Sequence, residues 1–217
     1  MDNIYELLES TGPLPIATME EPSIANDLAE TLINAGIKVM EITLRSERAL
    51  EGIKSISQSG LPVEIGAGTV LSIDECKQSI QNGAKFIVTP CLNEDVVRFC
   101  LKESIPIIPG CSTATEIYHA LAMGINVIKF FPASLLGGGK AIKALSYPLA
   151  KTNVRFIPTG GLTETSIAEY VSIPTVLALG GSWICPDRLI CMGDYLSIQS
   201  CAQRSITIWR KERGLRP

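Results

Sequence analysis

Short apolar runs recur along the 217-residue chain at intervals of 20 to 28 residues, and segments of helical pattern separate them. Runs of this kind are typical of strands that are buried on both faces of a parallel sheet. The eight runs span residues 14–17, 38–42, 63–66, 85–89, 105–109, 126–131, 154–158 and 174–179. Eight βα units at this spacing predict an α/β fold, specifically a single (β/α)8 or TIM barrel near the lower end of that fold's size range.

An open doubly wound sheet is the alternative, because two of the weaker runs could be misassigned. The barrel is favoured since the runs number eight and no GxGxxG pattern follows the first of them. Residues 5–8 predict a short N-terminal helix below the barrel, and the segment from Pro186 predicts the eighth helix and a tail. Helix starts are indicated at Ser72, Asn93 and Thr113, each followed closely by acidic residues. No linker divides the sequence, so residues 1–217 are predicted to form one domain.

The composition excludes several classes of protein. Hydrophobic residues make up 46% of the chain and charged residues 19%, and the mean hydropathy is positive, which excludes intrinsic disorder. The net charge of −3 comes without a basic cluster, so we expect no nucleic-acid partner. No apolar run reaches the roughly eighteen residues of a membrane span, and the first residues lack the pattern of a signal peptide. The sequence predicts a cytoplasmic protein.

The cysteine and histidine content argues against metal and disulfide chemistry. The seven cysteines contain no CxxC pair, which predicts reduced and mostly buried thiols. The only histidine, His119, cannot by itself form the multi-histidine site of a catalytic zinc enzyme. Its position among apolar residues of a helical segment favours a packing role. We therefore expect no metal and no cofactor.

Lys129 is the polar residue that carries most information about function. The carboxyl ends of barrel strands meet at one mouth, and the strand period places Lys129 on the same face as Val127 and Phe131. An ammonium group between apolar neighbours loses hydration, and the neutral amine that results can form a Schiff base with a carbonyl substrate. The alternative is a lysine that reaches solvent at a strand tip, as expected for Lys38 and Lys85.

Three further polar residues follow the second and third runs. Glu41 shares a strand face with Val39, so its carboxylate could transfer protons at the mouth, or could instead pair with Arg45 four residues later. Arg45 also suits a substrate carboxylate, because its guanidinium donates two parallel hydrogen bonds. Thr69 follows Gly66-Ala67-Gly68 and is a second candidate donor to such a carboxylate, or simply a threonine that ends a strand.

Glycine pairs follow the last two runs. Gly160 and Gly161 come after the seventh run, and Gly180 and Gly181, with Ser182 behind them, come after the eighth. Backbone N–H groups exposed at these two places form the recurrent phosphate site of barrels. Each pair alone is also explained by a tight turn, so the prediction of a phosphate site depends on both occurring together.

Six segments occur in uninterrupted order between about Gly12 and Trp183. They are EITLR at 41–45, GAGTV at 66–70, IPGCST at 108–113, KFFPA at 129–133, PTGG at 158–161 and GGSW at 180–183. As a set they resemble the bacterial 2-keto-3-deoxy-6-phosphogluconate (KDPG) and 4-hydroxy-2-oxoglutarate (KHG) aldolase family. The resemblance implies a class I aldolase on a (β/α)8 barrel, usually a homotrimer. Such an enzyme cleaves the phosphorylated keto-acid to pyruvate and glyceraldehyde 3-phosphate, and many members also cleave KHG to pyruvate and glyoxylate.

The resemblance also implies roles for the individual residues. Lys129 corresponds to the Schiff-base lysine and Glu41 to the general acid/base. The implied substrate-binding residues are Arg45 and Thr69 for the pyruvate carboxylate, Pro90 and Phe131 for the walls of the pocket, Thr159 for the middle of the substrate, and Gly160, Gly161, Gly180, Gly181 and Ser182 for the phosphate.

The sequence departs from the family pattern at a few positions. Thr18 and its neighbours occupy the stretch where some members have an arginine, Cys91 stands where glycine is common, and Ser134 where an acid is common. A sister family that acts on the phosphogalactonate epimer tends to have asparagine at the position of Arg45 and lacks the Pro-Thr before Gly-Gly, so Arg45 and Thr159 favour the gluconate-type enzyme. Alternatives are that sister activity, a phosphosugar isomerase or epimerase, and a non-catalytic sugar-phosphate-binding barrel.

Overall fold

The computed structural model describes residues 4–214, and its strands form two sheets in which neighbours run parallel. The strands are β1 (Pro13–Thr18), β2 (Val39–Thr43), β3 (Glu64–Gly68), β4 (Phe86–Val88), β5 (Ile107–Ile108), β6 (Gly110–Cys111), β7 (Val127–Phe130), β8 (Arg155–Pro158) and β9 (Leu179–Gly181). One sheet has the order β5-β4-β3-β2-β1-β9 and the other has the order β6-β7-β8. The fold is therefore α/β with parallel sheets, as the sequence predicts.

The two sheets adjoin at both edges. Only Pro109 separates β5 from β6. Proline has no N–H to donate to a neighbouring strand, so the hydrogen-bond ladder breaks at this residue. The Pro109 carbonyl still accepts a hydrogen bond from the Lys129 N–H at 2.9 Å. At the other edge, one isolated bridge joins Phe156 of β8 to Val176 before β9, and a second joins Thr159 to Gly180 of β9. The ladder that the sequence predicts as one closed barrel is thus interrupted at these two places.

Helices follow the strands along the chain. They are α1 (Ile4–Thr11), α2 (Ala25–Asn34), α3 (Ala49–Gln58), α4 (Ile73–Gln81), α5 (Glu94–Lys102), α6 (Ala114–Ala122), α7 (Gly138–Ser146), α8 (Ile167–Val171), α9 (Asp187–Met192) and α10 (Tyr195–Glu212). The predicted start signals are confirmed, because the side chains of Ser72, Asn93 and Thr113 each accept a hydrogen bond from the backbone N–H three residues later.

The two faces of the strands enter two separate apolar clusters. On β2, Met40 and Ile42 pack into the outer cluster beneath the helices, whereas Val39 belongs to an inner cluster. Leu8 of α1 is fully buried in that inner cluster, so the predicted N-terminal helix is confirmed and closes one end of the interior. Glu41 lies on the same face of β2 as Val39 and two residues nearer the carboxyl end of the strand. It therefore faces the end of the interior opposite α1.

Two predicted elements differ from the structure. The eighth run, 174–179, overlaps β9 only at Leu179, because the pairing of β9 with β1 begins there, opposite Pro13, and continues through the glycine pair. The segment after Pro186 is two helices rather than one, since Gly193 adopts a left-handed conformation (φ 63°) that ends α9.

The prediction for histidine is wrong, and the prediction of reduced, mostly buried cysteines is confirmed. The His119 side chain is 53% exposed on the surface of α6, so it has no packing role. Four thiols are buried, those of Cys76, Cys100, Cys111 and Cys185, and the cysteines of the described chain form no disulfide.

Within residues 4–214, no helix is long and apolar enough to cross a membrane. The same residues contain no group of three or more His, Cys, Asp or Glu side chains that could hold a metal ion.

Candidate active site

A cavity of about 250 Å³ lies where the carboxyl ends of the strands meet, and it contains most of the residues singled out from the sequence. The lining residues are Ile16, Glu41, Thr43, Arg45, Thr69, Pro90, Lys129, Phe131, Thr159, Gly160, Gly161, Leu162, Gly181 and Ser182. Of the predicted site residues only Gly180 does not line it. Ile16, Thr43 and Leu162 were not predicted, because apolar or small side chains within a strand or in the loop after it carry no signal that separates a pocket wall from core.

Lys129 lies near the end of β7 and is only 6% exposed. Its strand neighbours in register are Gly110 on β6 and Ile157 on β8, neither of which offers a charge. The Nζ atom lies 5.4 Å from the centre of the Phe131 ring and 3.7 Å from Glu41 Oε1. The amine is therefore held inside the cavity rather than extended into solvent.

Glu41 faces Lys129 from β2 and is 1% exposed. Its Oε1 accepts no hydrogen bond from any residue that the structure describes, although a buried carboxylate oxygen normally has a donor. Gly68 of β3 makes this position accessible, since a Cβ at residue 68 would come within 2.5 Å of the Glu41 carboxyl carbon and closer still to Oε1. The carboxylate thus has an unused acceptor oxygen next to the lysine amine.

Arg45 is held by two threonine hydroxyls and not by Glu41. Its Nε donates to Thr43 Oγ1 at 3.2 Å, and one terminal nitrogen donates to Thr18 Oγ1 at 2.9 Å. The alternative of a Glu41–Arg45 ion pair is therefore wrong. A guanidinium group has five N–H donors, so these two bonds leave donors for a bound anion.

Thr69 lines the same side of the cavity immediately after β3, and it has a positive φ of 60°. A β-branched residue rarely adopts this left-handed conformation, which costs of order 1–3 kcal/mol unless the surroundings impose it. The backbone turns sharply here, between Gly68 and the start of α4. Strain of this kind is common at ligand sites, which supports the prediction that Thr69 contacts a substrate.

The glycine pair after β8 has a backbone conformation that favours glycine. Gly160 and Gly161 have φ values of 96° and 73°, which a residue with a side chain rarely adopts. A Cβ at Gly161 would also overlap the Ser134 hydroxyl, and one at Gly160 would come within 3.0 Å of the Phe131 ring. Gly161 and the exposed Ser182 both line the cavity, on opposite sides of the gap between β8 and β9.

Gly180 does not line the cavity and packs behind Thr159, which does. A Cβ at this position would come within 2.4 Å of the buried Thr159 hydroxyl oxygen, so the absence of a side chain lets β9 approach β8 closely. The structure therefore gives Gly180 a packing role beneath the site, and the prediction that it lines the phosphate site is not supported by its position. Gly181, the next residue, does line the cavity.

Comparison with known proteins identifies this arrangement. A family model described as "Aldolase: KDPG and KHG aldolase" matches residues 4–201. The chain belongs to the KDPG and KHG aldolase family. The family resemblance read from the sequence is thereby confirmed, and membership of this aldolase family makes the protein an enzyme of the lyase class.

Relatives in this family match over nearly the whole length of the chain. It is 45% identical over 208 residues to 2-dehydro-3-deoxy-phosphogluconate aldolase from Treponema pallidum, covering 96% of this chain and 98% of that one. It is 35% identical over 202 residues to the KHG/KDPG aldolase of Escherichia coli K12, covering 93% and 94%. The crystal structure of KDPG aldolase from Legionella pneumophila with pyruvate captured as a covalent carbinolamine intermediate matches with a TM-score of 0.87. That match has 32% identity and covers 93% of this chain and 97% of the other.

The aldolase chain has a second and larger cavity, of about 510 Å³, beside the first. Its lining includes Glu20, Glu21 and Asp187, whose carboxylates disfavour an anionic substrate. Thr18 also lines this second cavity while its hydroxyl accepts from Arg45, which lines the first. The Thr18–Arg45 hydrogen bond therefore lies between the two cavities, and the smaller one, which contains Lys129, is the candidate active site.

Proposed function

We propose that the protein is a metal-independent class I aldolase that cleaves KDPG to pyruvate and glyceraldehyde 3-phosphate, and KHG to pyruvate and glyoxylate. The observation that carries this proposal is the buried Lys129 amine 3.7 Å from the Glu41 carboxylate, in a cavity that also contains Arg45. An amine, a proton acceptor and a cation for a carboxylate are the groups that Schiff-base cleavage of a keto-acid requires.

The reaction begins when the neutral Lys129 Nζ attacks the C2 carbonyl carbon of the substrate. The carbinolamine hydroxyl takes up a proton from solvent and leaves as water, which gives a protonated imine that withdraws electrons from the adjacent carbon chain. Among the described residues, Glu41 is the only acid paired with Lys129, so it is placed to take the proton of the C4 hydroxyl, directly or through a water.

Cleavage follows as that proton leaves. The electrons of the C3–C4 bond move into the imine to form an enamine, and glyceraldehyde 3-phosphate departs. Glu41 then returns its proton to C3, and water hydrolyses the protonated imine to release pyruvate, the free lysine and the proton taken up from solvent. Each proton that Glu41 accepts is given back, so the enzyme ends the cycle in the state in which it began.

Substrate binding divides between the two sides of the cavity. Arg45 and Thr69 would hold the carboxylate, Pro90 and Phe131 would enclose the pyruvyl group, and Thr159 would contact the middle of the chain. The backbone at Gly160, Gly161 and Gly181, with the Ser182 hydroxyl, would receive the phosphate. Binding energy from the remote phosphate positions the reacting carbons between Lys129 and Glu41.

We propose further that the two sheets form one (β/α)8 barrel within a single domain. Support comes from the short Pro109 interruption at one edge and the Thr159–Gly180 bridge at the other. We also propose a homotrimer, as the family resemblance implies. Large apolar side chains that are mostly exposed, such as Leu135 and Tyr147, would be covered by association. Sedimentation equilibrium at micromolar concentration tests this, and a monomer mass would contradict it.

Pyruvate release from matched substrates tests the proposed function. The purified protein is given KDPG, its galactonate-type epimer at C4 and KHG, and pyruvate is followed by a coupled reduction to lactate. Because of Arg45 and Thr159, we expect the largest kcat/KM for KDPG, with a smaller value for KHG, which lacks the phosphate. Faster turnover of the epimer would assign the galactonate-type activity, and no pyruvate from any of the three would refute aldolase function.

A further inference from the structure

Two cysteine side chains on neighbouring helices meet inside the outer apolar cluster. Cys76 lies on α4 and Cys100 on α5, and both are fully buried. Their Sγ atoms are 3.5 Å apart, and the two positions are 24 residues apart in the sequence. The pair does not line the catalytic cavity, and the aldolase mechanism gives it no role.

The two thiols differ in acidity, because one donates a hydrogen bond to the other. The hydrogen bond with Cys100 lowers the pKa of Cys76 from its ordinary value. The same bond, together with burial, raises the pKa of Cys100. A thiol with a lowered pKa in contact with a thiol that keeps its proton matches the division of roles between an attacking and a resolving thiol.

Cys185 provides a comparison within the same chain. It is equally buried, but its sulfur contacts the Ile16 carbonyl oxygen at 3.5 Å and no other thiol among the described residues. Burial raises the pKa of Cys185 to about 12. Burial alone therefore gives a thiol that keeps its proton, and among the described cysteines the Cys76–Cys100 pair adds a second sulfur in contact.

We propose that Cys76 and Cys100 form a site of oxidative modification, at which a small peroxide converts the two thiols to an intramolecular disulfide. The Cys76 thiolate attacks one peroxide oxygen, the O–O bond breaks, and hydroxide leaves to give a sulfenic acid. The Cys100 sulfur then attacks the Cys76 sulfur, the S–O bond breaks, and the hydroxide that leaves takes up the Cys100 proton. In sum, two thiols are oxidised and one hydrogen peroxide is reduced to two waters.

The geometry requires little movement. A disulfide bond is about 2.05 Å long, so the two sulfurs must approach by roughly 1.5 Å, which small shifts of two packed helices supply. Peroxide is close to water in size, so brief local opening between α4 and α5 admits it more readily than a bulky disulfide reagent. The loops before these helices are already joined, since Asn93 Nδ2 donates to the Leu71 carbonyl at 2.9 Å.

The expected consequence is a more stable enzyme with unchanged chemistry. A cross-link that closes a loop of this length constrains the unfolded chain, and for a protein of this size the expected rise in Tm is roughly 5–10 °C. The cross-link joins the helices that follow Thr69 and Pro90, but the sulfurs lie outside the cavity. Aldolase turnover should therefore stay within about twofold of the reduced protein.

Peptide mapping of the full chain after graded treatment with hydrogen peroxide tests the proposal. Remaining thiols are alkylated under native conditions after peroxide removal and again in denaturant, and trypsin then separates 55–77 with Cys76, 99–102 with Cys100 and 156–188 with Cys185. We expect the first two peptides to be linked, with a mass lower by two hydrogens, at doses that leave Cys185 a free thiol. Dithiothreitol should reverse the link.

Thermal unfolding gives the second measurement. The peroxide-treated wild type should show the higher Tm, and Cys100→Ser should show no rise. Oxidation of Cys76 no faster than Cys185, a stop at sulfinic acid without a link, or a link formed only in denaturant would each overturn the proposal. The wild-type peptide map decides the matter even if Cys100→Ser folds poorly, and none of these outcomes depends on aldolase activity.

Discussion

Gly68→Ala tests whether the position of the Glu41 carboxylate controls catalysis. Gly68 ends β3 beside Glu41, and it is not among the glycines with positive φ, so alanine is compatible with its backbone. An added Cβ would come within 2.5 Å of the Glu41 carboxyl carbon and 2.7 Å of its Cγ. The substitution therefore changes no charge and removes no hydrogen bond, and its main effect is to displace one carboxylate.

The size of the effect follows from these distances. Carbon atoms in contact are normally about 3.5 Å apart, so the Glu41 side chain must move by roughly 1 Å. A misplacement of this size at a reacting group costs about a hundredfold in rate. We expect kcat for KDPG to fall about a hundredfold, equivalent to roughly 2.7 kcal/mol, while KM changes by less than about threefold because the phosphate and carboxylate contacts remain.

Steady-state pyruvate release measures the prediction, and Gly52→Ala supplies the matched control. A Cβ at Gly52 of α3 would come within 2.6 Å of Met19 Cγ, a crowded apolar contact away from the cavity. The control should lower Tm while kcat stays near that of the wild type. A Gly68→Ala enzyme with at least half of the wild-type kcat and an unchanged Tm would refute the reasoning, because the carboxylate would then tolerate displacement.

Three further predictions concern single side chains. Glu41→Gln should lower kcat by about a hundredfold to a thousandfold while leaving phosphate binding nearly unchanged, and equal losses in both would indicate a structural role. Thr18→Val removes the 2.9 Å bond to Arg45 and should raise KM for KDPG roughly tenfold with kcat within twofold, whereas Thr18→Ser should restore KM. Because burial raises the pKa of Cys185 to about 12, iodoacetamide at pH 9 should label it only in denaturant, while the exposed Cys91 reacts in the native protein. Native labelling of Cys185 at the rate of Cys91 would contradict this.

Strand periodicity explains how much of the site is predictable from the sequence. Alternation along the second and sixth runs places Glu41 and Lys129 on the inner face, and the rule that carboxyl ends of parallel strands converge predicts that they lie together. The structure brings both into one cavity at 3.7 Å, although their roles in catalysis stay predictions. Local patterns also predict the helix starts at Ser72, Asn93 and Thr113, because capping depends on residues within one turn.

Features that depend on distant parts of the chain are not predictable in this way. The start of β9 depends on its pairing with β1, which an apolar run of six residues does not specify. The partners of Arg45 come from two different strands, so sequence spacing suggested Glu41 instead of Thr18. The rotation of α4 against α5 decides that Cys76 meets Cys100, and no pattern within either helix indicates it. Gly193 divides the last helix because of its left-handed φ, although the apolar pattern continues on both sides.

Trapping of a pyruvate adduct is the most direct test of the Schiff-base chemistry at Lys129. The protein is incubated with pyruvate, sodium borohydride is added, and the mass of the intact chain and of its tryptic peptides is measured. Formation of the imine predicts one reduced pyruvyl group per chain, located on Lys129, and no such group in Lys129→Ala. No adduct, or an adduct that persists in Lys129→Ala, would contradict the mechanism.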